Sequence, residues 1–220
     1  MSRQAFVIFV NGRYTIADIQ YYKKICRGKI RVAADGGIRF FQKARMIPDI
    51  LIGDLDSCGS RLKIDESKTK ILAFPRQKSA TDGELAIDYC LDNGAGSIDL
   101  VMPSVGEIDH LLGNLFILAR RPRSVRAMKR RCSMRIVNRR YEVRYCADEK
   151  MFFRNCVGDR LSIIPISARI RLTCTGTEYV AKELLVRIGE SRALRNRIES
   201  KRAVVQVAGR ALVVRYYHQS

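Results

Sequence analysis

A buried strand runs directly into a helix in the segment Ile30-Arg31-Val32-Ala33-Ala34-Asp35-Gly36-Gly37-Ile38. The apolar residues up to Ala34 predict the strand, and apolar residues at helical spacing follow from Ile38. Two glycines let backbone N–H groups approach a phosphate, and a helix N-terminus favours negative charge. The segment therefore predicts one strand–helix unit with a candidate anion site at its turn.

The same alternation extends outward on both sides of this segment. Because strands that alternate with helices form parallel sheets covered on both faces, residues 1–130 predict a doubly wound, largely parallel α/β domain. The other predicted strands are Ala5–Val10, Ile50–Ile52, Lys70–Phe74 and Ile98–Met102, and helices are predicted at Ile16–Cys26, from Ile38 to Ala44, before Asn93-Gly94 and from Ile108 to Leu118.

The pattern changes after about Arg130. Short β-branched or alternating segments follow, with turns at Gly158-Asp159, Thr175-Gly176 and Ala208-Gly209. Residues 131–220 therefore predict a smaller C-terminal antiparallel β-sandwich. Its strands are predicted at Met134–Val137, Tyr141–Tyr145, Leu161–Ile164, Ile170–Thr173, Ala203–Val207 and Ala211–Tyr216.

Five aspartates stand where strands end or helices begin, namely Asp35, Asp54, Asp56, Asp82 and Asp109. Gathered carboxylates repel by about 4 kcal/mol per pair at roughly 4 Å in an effective dielectric near 20. A fold that gathers them usually holds a divalent metal and a polyphosphate. Each aspartate alone also has a structural interpretation, as an Asx turn or a helix cap.

Two of these aspartate motifs are more specific. Asp54 and Asp56 are two residues apart after a strand, so both side chains can face one cation. Thr81 and Glu84 have the spacing of a capping box, which leaves Asp82 to face the cleft or to complement the helix dipole.

The composition excludes several classes of protein. Seven cysteines, an odd number, occur without a Cys-x-x-Cys pair, and only two histidines are present. A disulfide framework, a zinc site and a histidine-rich metal site are therefore not favoured. No apolar run is long enough to span a bilayer and no signal-peptide pattern begins the chain, so we expect no membrane role and a reduced, cytoplasmic setting.

The net charge of +19 is concentrated between Arg120 and Arg144. Solvated connectors and exposed strand faces are the favoured interpretation of this segment. Nucleic-acid binding is the less favoured alternative, because the segment lacks interleaved aromatic residues and no nucleic-acid module is recognised. P-loop and Gly-x-Ser-x-Gly motifs are also absent.

The ordered motifs resemble the thiamine pyrophosphokinase family. The family pattern runs Asn-Gly, Asp-Gly-Gly, Pro-Asp, Gly-Asp-x-Asp-Ser, Lys-Asp-x-Thr-Asp, Glu-x-Ala, Gly-Gly-Arg-x-Asp-His and a trailing Asn. The resemblance continues to Ser162-Ile163-Ile164-Pro165, to Thr173–Tyr179 and to Arg195-Asn196. In this chain the pattern is matched by Asn11-Gly12, Asp35-Gly36-Gly37, Pro48-Asp49, Gly53–Ser57, Lys78–Asp82, Glu84-Leu85-Ala86, Gly106–His110 and Asn114.

The resemblance implies a magnesium-dependent transfer of pyrophosphate from ATP to thiamine, giving thiamine diphosphate and AMP. It also implies a nucleotide-binding α/β domain, a thiamine-binding and dimerisation β-sandwich, and a homodimer with thiamine near the subunit interface. Position by position, it implies that Asp35, Asp54, Asp56 and Asp82 hold Mg²⁺, and that Asp109 or Asp82 takes the proton of the thiamine hydroxyl. The implied ATP and thiamine contacts are Asn11, Gly12, Asp35, Gly36, Lys78, Thr81, His110, Asn114 and Asn196.

Four positions depart from the family pattern. Ser79 replaces an aspartate, Val105 a glycine, Glu107 an arginine and Arg195 a serine. Tryptophan is absent, so stacking on the thiamine rings must come from Tyr or Phe. These departures predict a weak enzyme, and the alternative is a non-catalytic relative that binds nucleotide or thiamine diphosphate.

Overall fold

The computed structural model describes residues 4–53, 65–74, 80–103, 108–119 and 132–218, with the side chain of residue 110 outside that description. The contacts divide the chain into two compact units, Met1–Arg139 and Arg140–Ser220. No helix within the described residues is both long and apolar enough to cross a membrane.

The described residues of the first unit form six parallel strands. Their order across the sheet is β4-β3-β2-β1-β5-β6, and every neighbouring pair is parallel. The chain starts in the middle at β1, moves outward to β4, and returns to the other side of β1 for β5. The strands are β1 (Gln4–Phe9), β2 (Ile30–Ala34), β3 (Ile50–Gly53), β4 (Lys70–Ala73), β5 (Ala95–Val101) and β6 (Ser133–Val137).

Within the described residues, four α-helices accompany these strands, and the predicted α/β class is confirmed. One sheet face packs on α1 and α2 around a stacked pair, Phe9 and Phe40, with ring centroids 3.9 Å apart. Contacts between α3 and β1, β2, β3 and β5 bury Ala86, Ile87 and Cys90 of that helix. The helices are α1 (Ile16–Ile25), α2 (Ile38–Ala44), α3 (Asp82–Asp92) and α4 (Ile108–Ile117).

Strand β6 differs from the prediction, which grouped it with the antiparallel strands. It pairs in parallel with β5, from Ser97 opposite Ser133 to Val101 opposite Val137. The burial of Ile136 and Val137 explains the difference, because a strand covered on both faces has no polar face to alternate with.

The second unit consists of antiparallel strands around β12. Its first half pairs with β7 and β9, and its second half with β7 and β8. Strand β10 extends the sheet beside β9, and β11 pairs with β8. The strands are β7 (Tyr141–Arg154), β8 (Arg160–Pro165), β9 (Arg169–Thr175), β10 (Ala181–Arg187), β11 (Asn196–Arg197) and β12 (Arg202–Tyr216).

The predicted turn at Ala208-Gly209 is wrong, because β12 continues through it. The register against β7 shifts between Val207 and Arg210, so these residues form a bulge in one strand. Gly209 has φ +110°, and its N–H donates to Asp148 Oδ1 at 2.7 Å. Glycine therefore serves here to bend a long strand and not to reverse it.

Candidate active site

The strand order of the first unit reverses beside β1, since β2 lies on one side of it and β5 on the other. Sheets of this kind bind ligands in the crevice at the carboxyl ends of the strands where the order reverses. Asn11 and Gly12 follow β1 at this edge, and Asp35 and Gly36 follow β2. These residues therefore lie at the edge where the sequence predicts them, because parallel strands place their carboxyl ends together.

Two glycines allow the segments that follow β1, β2 and β5 to approach each other closely. A Cβ added at Gly36 would lie 2.4 Å from Asn11 Oδ1, and one at Gly12 would lie 2.0 Å from Pro103 Cγ. No side chain fits at either position without movement of its neighbours. Both glycines therefore bring chain ends together around Asn11.

Asp35 occupies an unusual conformation in this edge. Its φ is +44°, and its Oδ1 is buried without a hydrogen-bond partner among the described residues. A Cβ added at Gly53, the residue before Asp54, would lie 3.1 Å from Asp35 Cα. A buried carboxylate oxygen in this state costs free energy unless a cation or proton satisfies it.

The first turn of α3 lies at the same edge. The predicted capping box is confirmed, since Thr81 Oγ1 accepts from the Glu84 N–H at 3.3 Å and Glu84 Oε2 accepts from the Thr81 N–H at 3.0 Å. Asp82 is the first helical residue and is half-buried. A Cβ added at Gly83 would lie 3.7 Å from Asn114 Oδ1 of α4, which places both helices beside β1.

Asp109 and His110 lie in the first turn of α4, where Asp109 is exposed. Asp54, Asp56 and Lys78 lie outside the described residues, as do the departures at Ser79, Val105 and Glu107. Within the described ranges, no three His, Cys, Asp or Glu side chains are grouped closely enough to hold a metal ion.

Arg39 is a residue of this edge that the sequence reasoning missed. It lies in α2, one turn after Asp35, and its Nη1 donates to Asn11 Oδ1 at 3.3 Å. The guanidinium is exposed and has no acidic partner among the residues described. The sequence offered no signal for this contact, because it depends on where Asn11 lies in the folded chain.

Asn196 of the second unit binds the backbone of Tyr179. Its Oδ1 accepts from the Tyr179 N–H at 3.0 Å, and its Nδ2 donates to the Tyr179 carbonyl at 2.8 Å. Oδ1 also accepts from the Arg197 N–H at 2.9 Å. Asn196 is buried, whereas Tyr179 is 67% exposed, so the amide fixes a loop that presents an aromatic ring.

Comparison with known proteins finds one family to which this chain is similar. The family model described as thiamin pyrophosphokinase, catalytic domain, matches residues 22–129. A thiamine pyrophosphokinase from Bacillus subtilis (strain 168) is 24% identical over 187 residues, which cover 83% of this chain and 85% of that relative. The predicted resemblance to the thiamine pyrophosphokinase family is confirmed.

Solved structures support the fold alone, since their identities are low. Thiamin pyrophosphokinase from Geobacillus thermodenitrificans has a TM-score of 0.80 and 21% identity, with 99% of each chain covered. The Candida albicans thiamin pyrophosphokinase has a TM-score of 0.77 and 14% identity, covering 97% of this chain and 90% of its own.

Proposed function

We propose that this protein transfers pyrophosphate from ATP to the hydroxyl of thiamine, giving thiamine diphosphate and AMP. The hydroxyl oxygen attacks the β-phosphorus, the bond to the AMP oxygen breaks, and the hydroxyl proton passes to a carboxylate. The convergence of Asn11, Asp35 and the α3 N-terminus at the edge where the strand order reverses supports this proposal most directly. Such chemistry depends on positioning and charge neutralisation.

The residues present fit Mg²⁺. Asp35 offers a buried carboxylate oxygen without a partner among the described residues, and Mg²⁺ prefers carboxylate, phosphate and water oxygens. We assign the ion to Asp35 and Asp82 together with Asp54 and Asp56, which the sequence alone supports. When bound, it would neutralise charge on the phosphate oxygens.

Arg39 supplies a cation for the phosphates in this proposal. The family arginine is Glu107 in this chain, so a guanidinium has to come from another position. Arg39 already contacts Asn11, and a planar guanidinium suits a phosphate in two-point contact. Asn11, Gly12, Gly36, Lys78, Thr81, His110 and Asn114 are assigned to the same nucleotide site.

The proton of thiamine goes to Asp109 or to Asp82. Both lie in the first turn of a helix at the same sheet edge. Asp109→Asn separates them, because Asp82→Asn would also remove a proposed Mg²⁺ ligand. A lowered kcat of Asp109→Asn at saturating ATP and thiamine would assign the base to Asp109, and an unchanged kcat would leave Asp82.

Tyr179 stacks on thiamine in this proposal, and Asn196 positions it. The ring is exposed, whereas the backbone N–H and the backbone carbonyl of Tyr179 are both hydrogen-bonded to Asn196. Tyr179→Ala is expected to raise the thiamine KM about tenfold with little change in the ATP KM. Tyr179→Phe keeps the ring and should behave as wild type, whereas an equal rise for both variants would contradict stacking.

The deciding experiment measures AMP and thiamine diphosphate from ATP, Mg²⁺ and thiamine. If the wild type forms both products in equal amounts and Asp35→Asn and Asp56→Asn form neither, the proposed pyrophosphate transfer is supported. ATP binding without thiamine-dependent AMP would instead favour the non-catalytic relative, for which Ser79, Glu107 and Arg195 supply the reason. A homodimer remains the expected assembly.

A further inference from the structure

A second concave surface lies at the amino-terminal edge of the parallel sheet, at the opposite end of the strands from Asn11. This amino-edge groove has a volume of about 950 Å³. The first residues of β1, β2, β3 and β4 line it, together with the end of α1 and Tyr89 of α3. Its residues take no part in the chemistry proposed above.

The groove is strongly cationic. Among the described lining residues, one carboxylate, Asp49, accompanies five cations. Both oxygens of Asp49 are bound by Arg31, with Nη2–Oδ1 at 2.6 Å and Nε–Oδ2 at 2.8 Å. The pair is therefore neutral overall. The five cations are Lys23, Arg27, Lys29, Arg31 and Lys70.

A second carboxylate beneath the groove is shared between two cations. Asp99 forms an ion pair with Lys29 and also accepts from Arg135 Nε at 2.7 Å. One negative charge thus faces two positive charges, and the set retains an excess of positive charge next to the groove.

Three of the described lining cations remain for a ligand. Lys23 and Arg27 have no acidic partner among the described residues, and the C-terminal dipole of α1 offsets only about half a unit charge. Lys70 Nζ lies 3.3 Å from the Tyr89 hydroxyl and 5.3 Å from the centre of its ring. Neither contact neutralises the ammonium.

The remaining lining residues suit an apolar or aromatic part of a ligand, which we call its body. Ile30, Met46 and Ile50 line the groove beside the Tyr89 ring. The volume falls within the range of about 300–1,000 Å³ typical of small-molecule sites, and such sites combine apolar walls with a few charged anchors.

We propose that the amino-edge groove binds a small phosphorylated molecule with a planar apolar body. Lys23, Arg27 and Lys70 bind the phosphate, and the body packs against Met46 and Tyr89. Phosphate is favoured over a carboxylate because three cations that lack acidic partners within the described residues match a group of nearly two negative charges.

Flavin mononucleotide is a suitable probe, since it is fluorescent and combines a phosphate with a planar ring. Riboflavin, the same ring without phosphate, is the matched ligand control. We expect flavin mononucleotide to bind at least about tenfold more tightly than riboflavin, because it adds charge-assisted hydrogen bonds. Hydrogen exchange should slow in residues 23–31 and 46–50.

The double variant Lys23→Glu/Arg27→Glu should lower this affinity at least about tenfold. Lys182→Glu/Arg192→Glu makes the same charge change on exposed residues of the second unit and should leave it unchanged. Equal losses in both variants, or protection only around residues 11 and 35–39, would overturn the proposal. Single-stranded DNA binding that is lost only in the groove variant, without flavin mononucleotide binding, would replace it with a nucleic-acid surface.

Discussion

At the scale of single residues, Asp35 links stability to ligand binding. Its φ of +44° and its buried Oδ1, which lacks a partner among the described residues, both cost free energy in the isolated chain. Asp35→Asn keeps the shape and tolerates the same backbone conformation. Without Mg²⁺, its unfolding free energy should equal that of wild type or exceed it by up to about 1 kcal/mol.

The same substitution should remove the stabilisation by ligand. Binding of Mg²⁺ and ATP should raise the Tm of the wild type by mass action. If Asp35 helps to bind them, Asp35→Asn should lose most of that rise. Thermal unfolding with and without Mg²⁺ and ATP measures this difference. The exposed Asp92→Asn variant is the control, and an undiminished rise in Asp35→Asn would exclude Asp35 as a ligand.

Asn196 is a second single residue whose contribution to the unfolding free energy can be measured. Three hydrogen bonds join its amide to the backbone of Tyr179 and Arg197. Asn196→Ala leaves those backbone groups without their partner and should lower the unfolding free energy by about 1–3 kcal/mol. Urea unfolding measures this, and a loss below about 0.5 kcal/mol would mean that water replaces the amide readily.

At the scale of helices and strands, the N-cap of α3 makes a contribution to the unfolding free energy that can be measured by itself. Thr81→Ala removes the side-chain oxygen that accepts from Glu84 and should cost about 1 kcal/mol of unfolding free energy. Thr81→Ser keeps the hydroxyl and should restore nearly all of it. Urea unfolding of both variants checks the cap, and equal losses would show that the methyl group matters instead.

Strand β5 is tied to β6 and to the residue before β2 by the buried Asp99, whose side chain is 8% exposed. Burial alone would raise the pKa of this carboxyl, but hydrogen bonds from Arg135 and Lys29 outweigh it and hold the pKa below its usual 3.8. The stabilisation is therefore present above about pH 4 and is lost as the pH falls through the lowered pKa.

Asp99→Asn tests this dependence. The variant should be less stable than wild type at pH 7, because Lys29 and Arg135 lose their anion, and the difference should shrink below the usual pKa of 3.8. Urea unfolding at pH 7 and pH 3 measures it. A constant difference between the two pH values would contradict the ionic origin.

These elements also show what the sequence could predict. Alternation of apolar strands with helices gave the α/β class and the edge that carries Asn11 and Asp35, because both follow from local periodicity. The Arg39 contact could not be predicted, since it depends on where Asn11, 28 residues earlier, lies in the folded chain. The bulge at Gly209 likewise depends on Asp148, 61 residues away.

At the scale of the whole molecule, each unit has a hydrophobic core of its own. The core of the second unit includes Leu161, Ile163, Val205 and Val213, all 2% exposed or less, from β8 and β12. Because β12 pairs with β7, β8 and β9, one strand connects most of that sheet. Contacts of this kind make a unit capable of folding by itself.

We therefore expect the fragment 140–220 to fold alone. It should give a β-sheet circular dichroism spectrum, dispersed amide resonances and a cooperative urea transition, since its core lies within the fragment. The same fragment with Val205→Asp buries an unpaired charge in that core and should not give the transition. A broad, non-cooperative transition in the unsubstituted fragment would mean that this core is insufficient without residues 1–139.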